Sequence, residues 1–265
     1  MEIDRKRAEA AFQSYVEAYD VRDEKVRLKI EHTYRVSVLC DEIAKSLGLS
    51  GEDADLAWLI GLLHDIGRFE QLKNYGTFID DLSINHAEYG AEILFSQGKI
   101  RDYIENTSED ETIFTAVNCH NAYRIPDKLE ARTEMFCHII RDADKIDILK
   151  VNVDFPLEEI YNVSSEELRS SQVTEEVLEC FEGEKAVYRK LKKTAVDNVV
   201  GHISLVYELV YPVSLELVEK QGYLEKLMNF DSDNPVTERQ FERIRAKMRE
   251  YIEGKNEKRA DTVLK

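Results

Sequence analysis

The stretch LIGLLHDIGR, residues 59–68, sets four large apolar side chains directly against a histidine and an aspartate. Leu59, Ile60, Leu62 and Leu63 suit a buried helix. His64 and Asp65 do not, because an unpaired buried carboxylate costs several kcal/mol. Either the pair is satisfied locally, or positive charge lies between it and other parts of the chain.

Working outward, helical periodicity dominates. Val36, Leu39, Ile43 and Leu47 recur on one face, and LGLSGED (47–53) then supplies a glycine stop and a new start. Helices are expected over 24–47, 52–65, 86–97, 110–120, 129–150 and 164–181. A long one over 184–211 is expected to stop near Pro212, a further one to run to about 229, and a charged terminal one to span 236–253. Residues 66–85, with Gly67, Gly76 and Asn85, read as a connection. No stretch alternates as a strand would, so the expected class is all-α. A helix within residues 1–23 precedes a core over 24–150. A helical extension over 151–253 should pack on that core, supplying a pocket wall or a homodimer face, and 254–265 reads as a frayed tail.

The 265 residues carry a net charge of −17, which argues against general binding to nucleic acid or to an anionic membrane. A small phosphorylated ligand remains compatible, since a local basic cluster or a metal overrides the global field. Cys40, Cys119, Cys137 and Cys180 stand singly without CxxC spacing and read as reduced thiols of a cytoplasmic protein. The charged N-terminus shows no signal peptide, and the most apolar later stretch, 199–218, is interrupted by His202, Glu208, Pro212 and Glu216, which excludes a membrane span.

Four of the six histidines fall where periodicity points them inward. His32 precedes Val36 by four, His64 follows Ile60 by four, His86 shares a face with Gly90, Ile93 and Leu94, and His120 follows Ile113 and Val117. One inward histidine is ordinarily a satisfied core residue, and His138 and His202 are read so. Four of them with Asp65 are better explained by a metal, for which neutral imidazole and carboxylate are natural ligands. CHIIRDADKIDIL (137–149) offers Asp142, Asp144 and Asp147 as further carboxylates. An EF-hand fails there because Asp147 stands where its glycine is required. Helical position does not choose among the three.

HTYRVSVLCDEIA with His32, LLHDIGR with His64 and Asp65, and DADKID together resemble the HD-domain metal-dependent phosphohydrolase superfamily, over about residues 25–150. The resemblance implies an HD helical bundle with a C-terminal helical extension, and carries the last ligand over to Asp144, with Asp142 as the alternative. NHAEYGAEIL with His86 and AVNCHNAYRIP with His120 are similar to the two-metal branches, although YRIP stands where HD-GYP proteins carry their triplet and no His-His pair occurs at 120. The synthetase half of alarmone enzymes is also missing. On this resemblance Asp65 bridges two ions, His32, His64 and Asp144 complete the first, and His86 and His120 hold the second. One or two divalent transition-metal ions are implied, and ligands without thiolate suit Fe, Mn, Co, Ni or Zn alike. The implied activity is hydrolysis of a nucleotide or related phosphate ester by metal-activated water. A mononuclear nucleotidase and a non-catalytic metal- or nucleotide-sensing module are the alternatives. Arg68 and then Lys145 are the expected phosphate contacts. Arg124 lies in a loop near His120, and Glu70 is a candidate acid on sequence proximity alone. Arg35 and Lys73 read as surface ion pairs, and Tyr75, Tyr89 and Tyr123 as candidate base-stacking rings.

Overall fold

The computed structural model describes residues 2–263, and among these no strand occurs. The chain divides into two compact units, the first ending at Asp144 and the second beginning at Lys145. In the first, α1 (Arg5–Val16), α2 (Glu24–Ser46), α3 (Gly51–Leu63), α4 (Ile66–Tyr75), α5 (His86–Ala91), α6 (Ile100–Tyr103) and α7 (Asp110–Cys119) are followed by the first part of α8 (Ala131–Asp154).

The stretch 59–63 ends the centre of this unit. From Leu56 to Leu63 every residue of α3 is buried, so the helix has no polar face to offer water. It starts at Ser50, whose hydroxyl accepts the Asp53 amide at 3.1 Å, the cap expected of a serine three residues ahead of an acid. α2 lies against it most closely at Gly61, where an added Cβ would come within 2.7 Å of the Ser37 Cα. This approach sets His32 of α2 beside the end of α3. On the other side, Phe12 of α1 packs edge-on against Tyr34 and Phe69, with ring centroids 5.3 and 5.9 Å away.

Residues 66–75, read above as part of a connection, form α4. Gly67 suggested a break, but its role is close approach. A Cβ there would lie 2.7 Å from the Gly90 amide nitrogen and nearer still to the His86 carbonyl oxygen. The missing side chain lets the backbones of α4 and α5 touch, which places His86 beside Asp65. Gly67→Ala is therefore expected to destabilise the protein by about 1–3 kcal/mol, as overpacking against an unyielding backbone does. Urea unfolding of the full chain would show it as a lowered midpoint, and an unchanged midpoint would refute the account.

The second unit holds the rest of α8, then α9 (Leu157–Tyr161), α10 (Ser165–Ser170), α11 (Glu175–Glu182), α12 (Val196–Ser204), α13 (Pro212–Gln221), α14 (Tyr223–Met228) and α15 (Pro235–Val263). Val177, Phe181, Val200, Ile203, Phe241 and Met248 lie in its core. The expected helices at 164–181 and 184–211 are each broken. Asp197 is the cause of both interruptions: its buried carboxylate accepts the amides of Thr174, Lys193 and Thr194 at 2.8, 2.8 and 2.9 Å, together with the Thr174 hydroxyl at 2.6 Å. Amides held by a side-chain carboxylate do not bond within a helix. The terminal helix runs on to Val263, ten residues past its expected end, where a frayed tail was anticipated; residues 264–265 lie outside the described residues. Charged, proline-free sequence of good helix propensity continues there without a stop signal.

Candidate metal centre

Five local structures deliver six side chains to one place in the first unit. His32 comes from within α2. His64 caps the C-terminus of α3, and Asp65 occupies the single step between α3 and α4, with φ −102° and ψ 15°. His86 is the first residue of α5, whose N-cap Asn85 accepts the Ala87 and Glu88 amides. His120 caps the C-terminus of α7, and Asp144 comes from α8. His32, His64, Asp65, His86 and His120 are all buried.

Each of three imidazoles has its Nδ1 committed outward. His64 donates to the Gly61 carbonyl and His120 to the Val117 carbonyl, both at 2.7 Å. His86 donates to the Asp80 carboxylate at 2.8 Å. With the proton held on Nδ1, the Nε2 lone pairs face inward. Burial lowers the His64 imidazole to about 4, and burial followed by the nearby Arg68 charge lowers that of His86 to about 3. Both are thus neutral at neutral pH.

The inward nitrogens form two pairs. His32 and His64 bring their Nε2 atoms to 3.3 Å, and His86 and His120 bring theirs to 3.0 Å. The Asp65 carboxylate lies between the pairs with one oxygen turned to each. Oδ2 is 3.5 Å from both His32 and His64 Nε2. Oδ1 is 3.5 Å from His86 and 3.7 Å from His120. Asp144 Oδ1 joins the first pair, 3.2 Å from His32 and 3.8 Å from His64. Of the three aspartates of α8 considered above, it is Asp144 that forms a compact donor group with His32 and His64; His64, Asp65 and His120 form the other.

The donor set fits divalent metal. Two bare imidazole nitrogens 3.0 Å apart repel each other unless a cation lies between them. Such a separation is what two ligands make around one ion to which each bonds at about 2.0–2.1 Å. Burial alone would push the Asp65 carboxyl up, but the Lys29 ammonium holds it well below its ordinary value. Asp144 is likewise lowered: burial opposes ionisation, and the hydrogen bond with His32 overcomes it. The site therefore keeps its carboxylates ionised and the His64 and His86 imidazoles neutral, the forms that bind metal.

Asp80 escaped the sequence reading. It sits in the turn 80–82 and accepts from His86, from Arg68 Nη1 at 3.0 Å, from Gln71 at 2.9 Å and from Asn121 at 3.1 Å. It thereby ties His86 to the residue following His120. Nothing in its neighbourhood, IDDLS, marks it apart from Asp81, since the contact with His86 depends on how the chain turns between α4 and α5. Asp80→Asn removes the charge that orients His86 and is expected to weaken metal affinity by about 10–100-fold, the usual cost of losing a carboxylate behind a histidine ligand. Titration against a chromogenic chelator measures this, and wild-type affinity in the variant would remove Asp80 from the site.

The basic residues divide. Arg68 is held through Nη1 by Gln71, the Phe78 carbonyl and Asp80, while its buried Nε has no hydrogen-bond partner and lies 3.5 Å from Asp65 Oδ1. Lys145 belongs to the second unit, where its ammonium pairs with Glu208 at 3.0 Å. Glu70 accepts from Tyr19 at 2.7 Å and from Lys73 and Asn74; these contacts lower its pKa against the opposing effect of burial, which does not suit a proton donor. Arg35 pairs with Glu31 at 3.8 Å, and Arg124 lies over the Tyr123 ring. Tyr75 and Tyr123 are exposed. His138 faces Glu134 at 3.7 Å on a half-buried face, and His202 Nδ1 lies 2.8 Å from the Tyr161 hydroxyl, which itself donates to Asn152, within the second unit.

Residues 30–149 match the family model of the HD domain. This segment is similar to the HD domain. Searches of the curated proteins and of the solved structures gave no match. The matched segment spans all six clustered residues. No helix among the described residues is long and apolar enough to cross a membrane.

Proposed function

We propose that this HD domain hydrolyses a phosphate ester or phosphoanhydride of a small substrate, a nucleotide or a related compound, at a two-metal site. HD domains as a superfamily are metal-dependent phosphohydrolases. The observation that carries the two-metal reading is Asp65, whose two oxygens each face a separate pair of imidazoles. A carboxylate so placed would serve as ligand to both ions.

In this reading His32, His64 and Asp144 hold one ion and His86 and His120 the other. Divalent ions held there supply Lewis acidity that lowers the pKa of water for in-line attack at phosphorus and neutralises charge developing on the phosphoryl oxygens. The chain's own residues do the positioning. Gly61, Val117 and Asp80 fix three imidazole rings through Nδ1. Arg68, braced by Asp80 and Gln71, presents its unpartnered Nε toward the site and is assigned contact with phosphate. Lys145, already paired with Glu208, is assigned none.

A mononuclear reading has one observation behind it. Asp144 reaches only the His32–His64 pair, so the other subsite has two imidazoles and a shared carboxylate. A sensing module without activity is disfavoured because no position of the donor set is lost. The test is to load the full chain with Mn(II), Fe(II), Co(II), Ni(II) or Zn(II) and to assay phosphate release. The panel comprises nucleoside mono- and polyphosphates, dinucleoside polyphosphates and cyclic nucleotides. Turnover of one class that is abolished by chelator supports the reading; no turnover with any metal, in protein shown to bind it, favours the sensing module.

A further inference from the structure

Asp65 meets a cation as well as its four imidazoles. Lys29, one helical turn before His32 on α2, brings its Nζ to 2.6 Å from Asp65 Oδ2, the oxygen that faces His32 and His64. The Lys29 side chain is 17% exposed, so one side of the ammonium borders solvent. Phe78 lies 5.5 Å from it, and the same ring lies 5.7 Å from the Arg68 guanidinium. Each oxygen of Asp65 thus meets two imidazoles and one cationic side chain.

The two cations differ in freedom. Arg68 is anchored by three acceptors, and the Asp80 carboxylate cancels its charge. Lys29 has Asp65 as its one hydrogen-bond partner among the described residues. Without metal, that contact neutralises a carboxylate which would otherwise be buried without a cation at a cost of several kcal/mol. Two divalent ions on the donor set would reverse the balance. Asp65 and Asp144 offset only half of their four charges, and an ammonium on the same oxygen as an ion is repelled. A four-carbon stem lets Nζ leave Asp65 while its Cα stays fixed in α2. The net positive charge, with Lys29 added to it, then calls for a dianion.

We propose that Lys29 is an exchangeable cation: it holds Asp65 in the metal-free protein and, in the loaded protein, turns to a phosphate oxygen of the ligand. This rests on the phosphohydrolase reading and adds a phosphate-binding residue that the HDIGR stretch does not contain. The ligand class it selects is a phosphate dianion, whether a terminal phosphomonoester or free inorganic phosphate.

Lys29→Met and Lys29→Arg in the full chain test it by two readouts. In thermal unfolding, the metal-free Met variant should melt below wild type, and the gap should close once Mn(II) is added, with metal content equal to wild type. In calorimetry of Mn(II)-loaded protein, affinity for inorganic phosphate should fall about ten- to a hundredfold in the Met variant, the worth of one hydrogen bond to a charged group. The Arg variant, which keeps the charge, should stay within about threefold of wild type. Should the metal-free Met variant not fold, purification with Mn(II) throughout leaves the second readout intact. Unchanged phosphate affinity in the Met variant overturns the role of Lys29 and leaves the phosphohydrolase reading standing. Lost metal in that variant also overturns it, since Lys29 would then serve the metal site. Wild-type loaded protein that neither binds phosphate nor releases it from any substrate removes both.

Discussion

Asp65→Asn is expected to deplete both metal subsites and to lower phosphate release by about a thousandfold or more, the largest loss of any single substitution in this chain. An ionised carboxylate offers lone pairs from both oxygens, whereas an amide offers one acceptor oxygen and a donating NH2 group. Whichever way the amide turns, one histidine pair faces N–H in place of an acceptor. The two pairs depend on Asp65 at similar distances, 3.5 Å to His32 and His64 and 3.5 and 3.7 Å to His86 and His120. Neither subsite is therefore spared. The magnitude follows from the proposed nucleophile, because water without a metal partner would lose the lowered pKa that makes it reactive at neutral pH. Elemental analysis of purified protein gives the metal content per chain, and phosphate release on the best substrate gives the rate. Two ions per chain with turnover within tenfold of wild type would show that Asp65 does not bridge.

The second large effect separates the subsites. His120→Ala and His86→Ala each remove one of the two imidazoles facing Asp65 Oδ1, leaving His32, His64 and Asp144 untouched. Metal content is expected to fall from near two ions per chain to near one, while the remaining ion resists dialysis as in wild type. Turnover should fall with it if both ions act on the substrate. His32→Ala supplies the contrast, since it breaks the subsite that also has Asp144. A wild-type value of one ion, unchanged in His86→Ala at saturating metal, would replace the two-metal site with a mononuclear one. Stoichiometry is the deciding observable because losses of about 10–100-fold in activity also arise from residues behind the ligands, Asp80 among them.

Much of this was legible in the sequence, and the reason is periodicity. The all-α class follows from apolar spacing and from the scarcity of proline and glycine. The inward direction of His32, His64, His86 and His120 follows from their distances of three, four or seven residues from buried apolar positions such as Val36, Ile60, Ile93, Ile113 and Val117. These are properties of one helix at a time, so a linear reading reaches them. Four inward histidines and one inward aspartate already demand a cation, before anything is known of how their helices pack.

Only the tertiary structure decided what depends on groups distant in the chain. Helical position left Asp142, Asp144 and Asp147 level, and the choice of Asp144 comes from how α8 meets α2 and α3 at His32 and His64. Asp80 and Lys29 are ordinary charged residues in sequence; their importance lies in carboxylate and ammonium contacts with His86 and Asp65 that a turn and a helix–helix approach create. Gly67 reads locally as a breaker, yet α4 runs through it because the gain is contact between two backbones. At 171–195 the reverse holds: good helical sequence is interrupted because the Asp197 carboxylate takes amides of Thr174, Lys193 and Thr194. The sequence by itself determined that this chain is helical and that its histidines turn inward, because both are set within a few residues. Which oxygen faces which imidazole was left to the packing of separate helices, where a displacement of an ångström decides whether two donors share an ion.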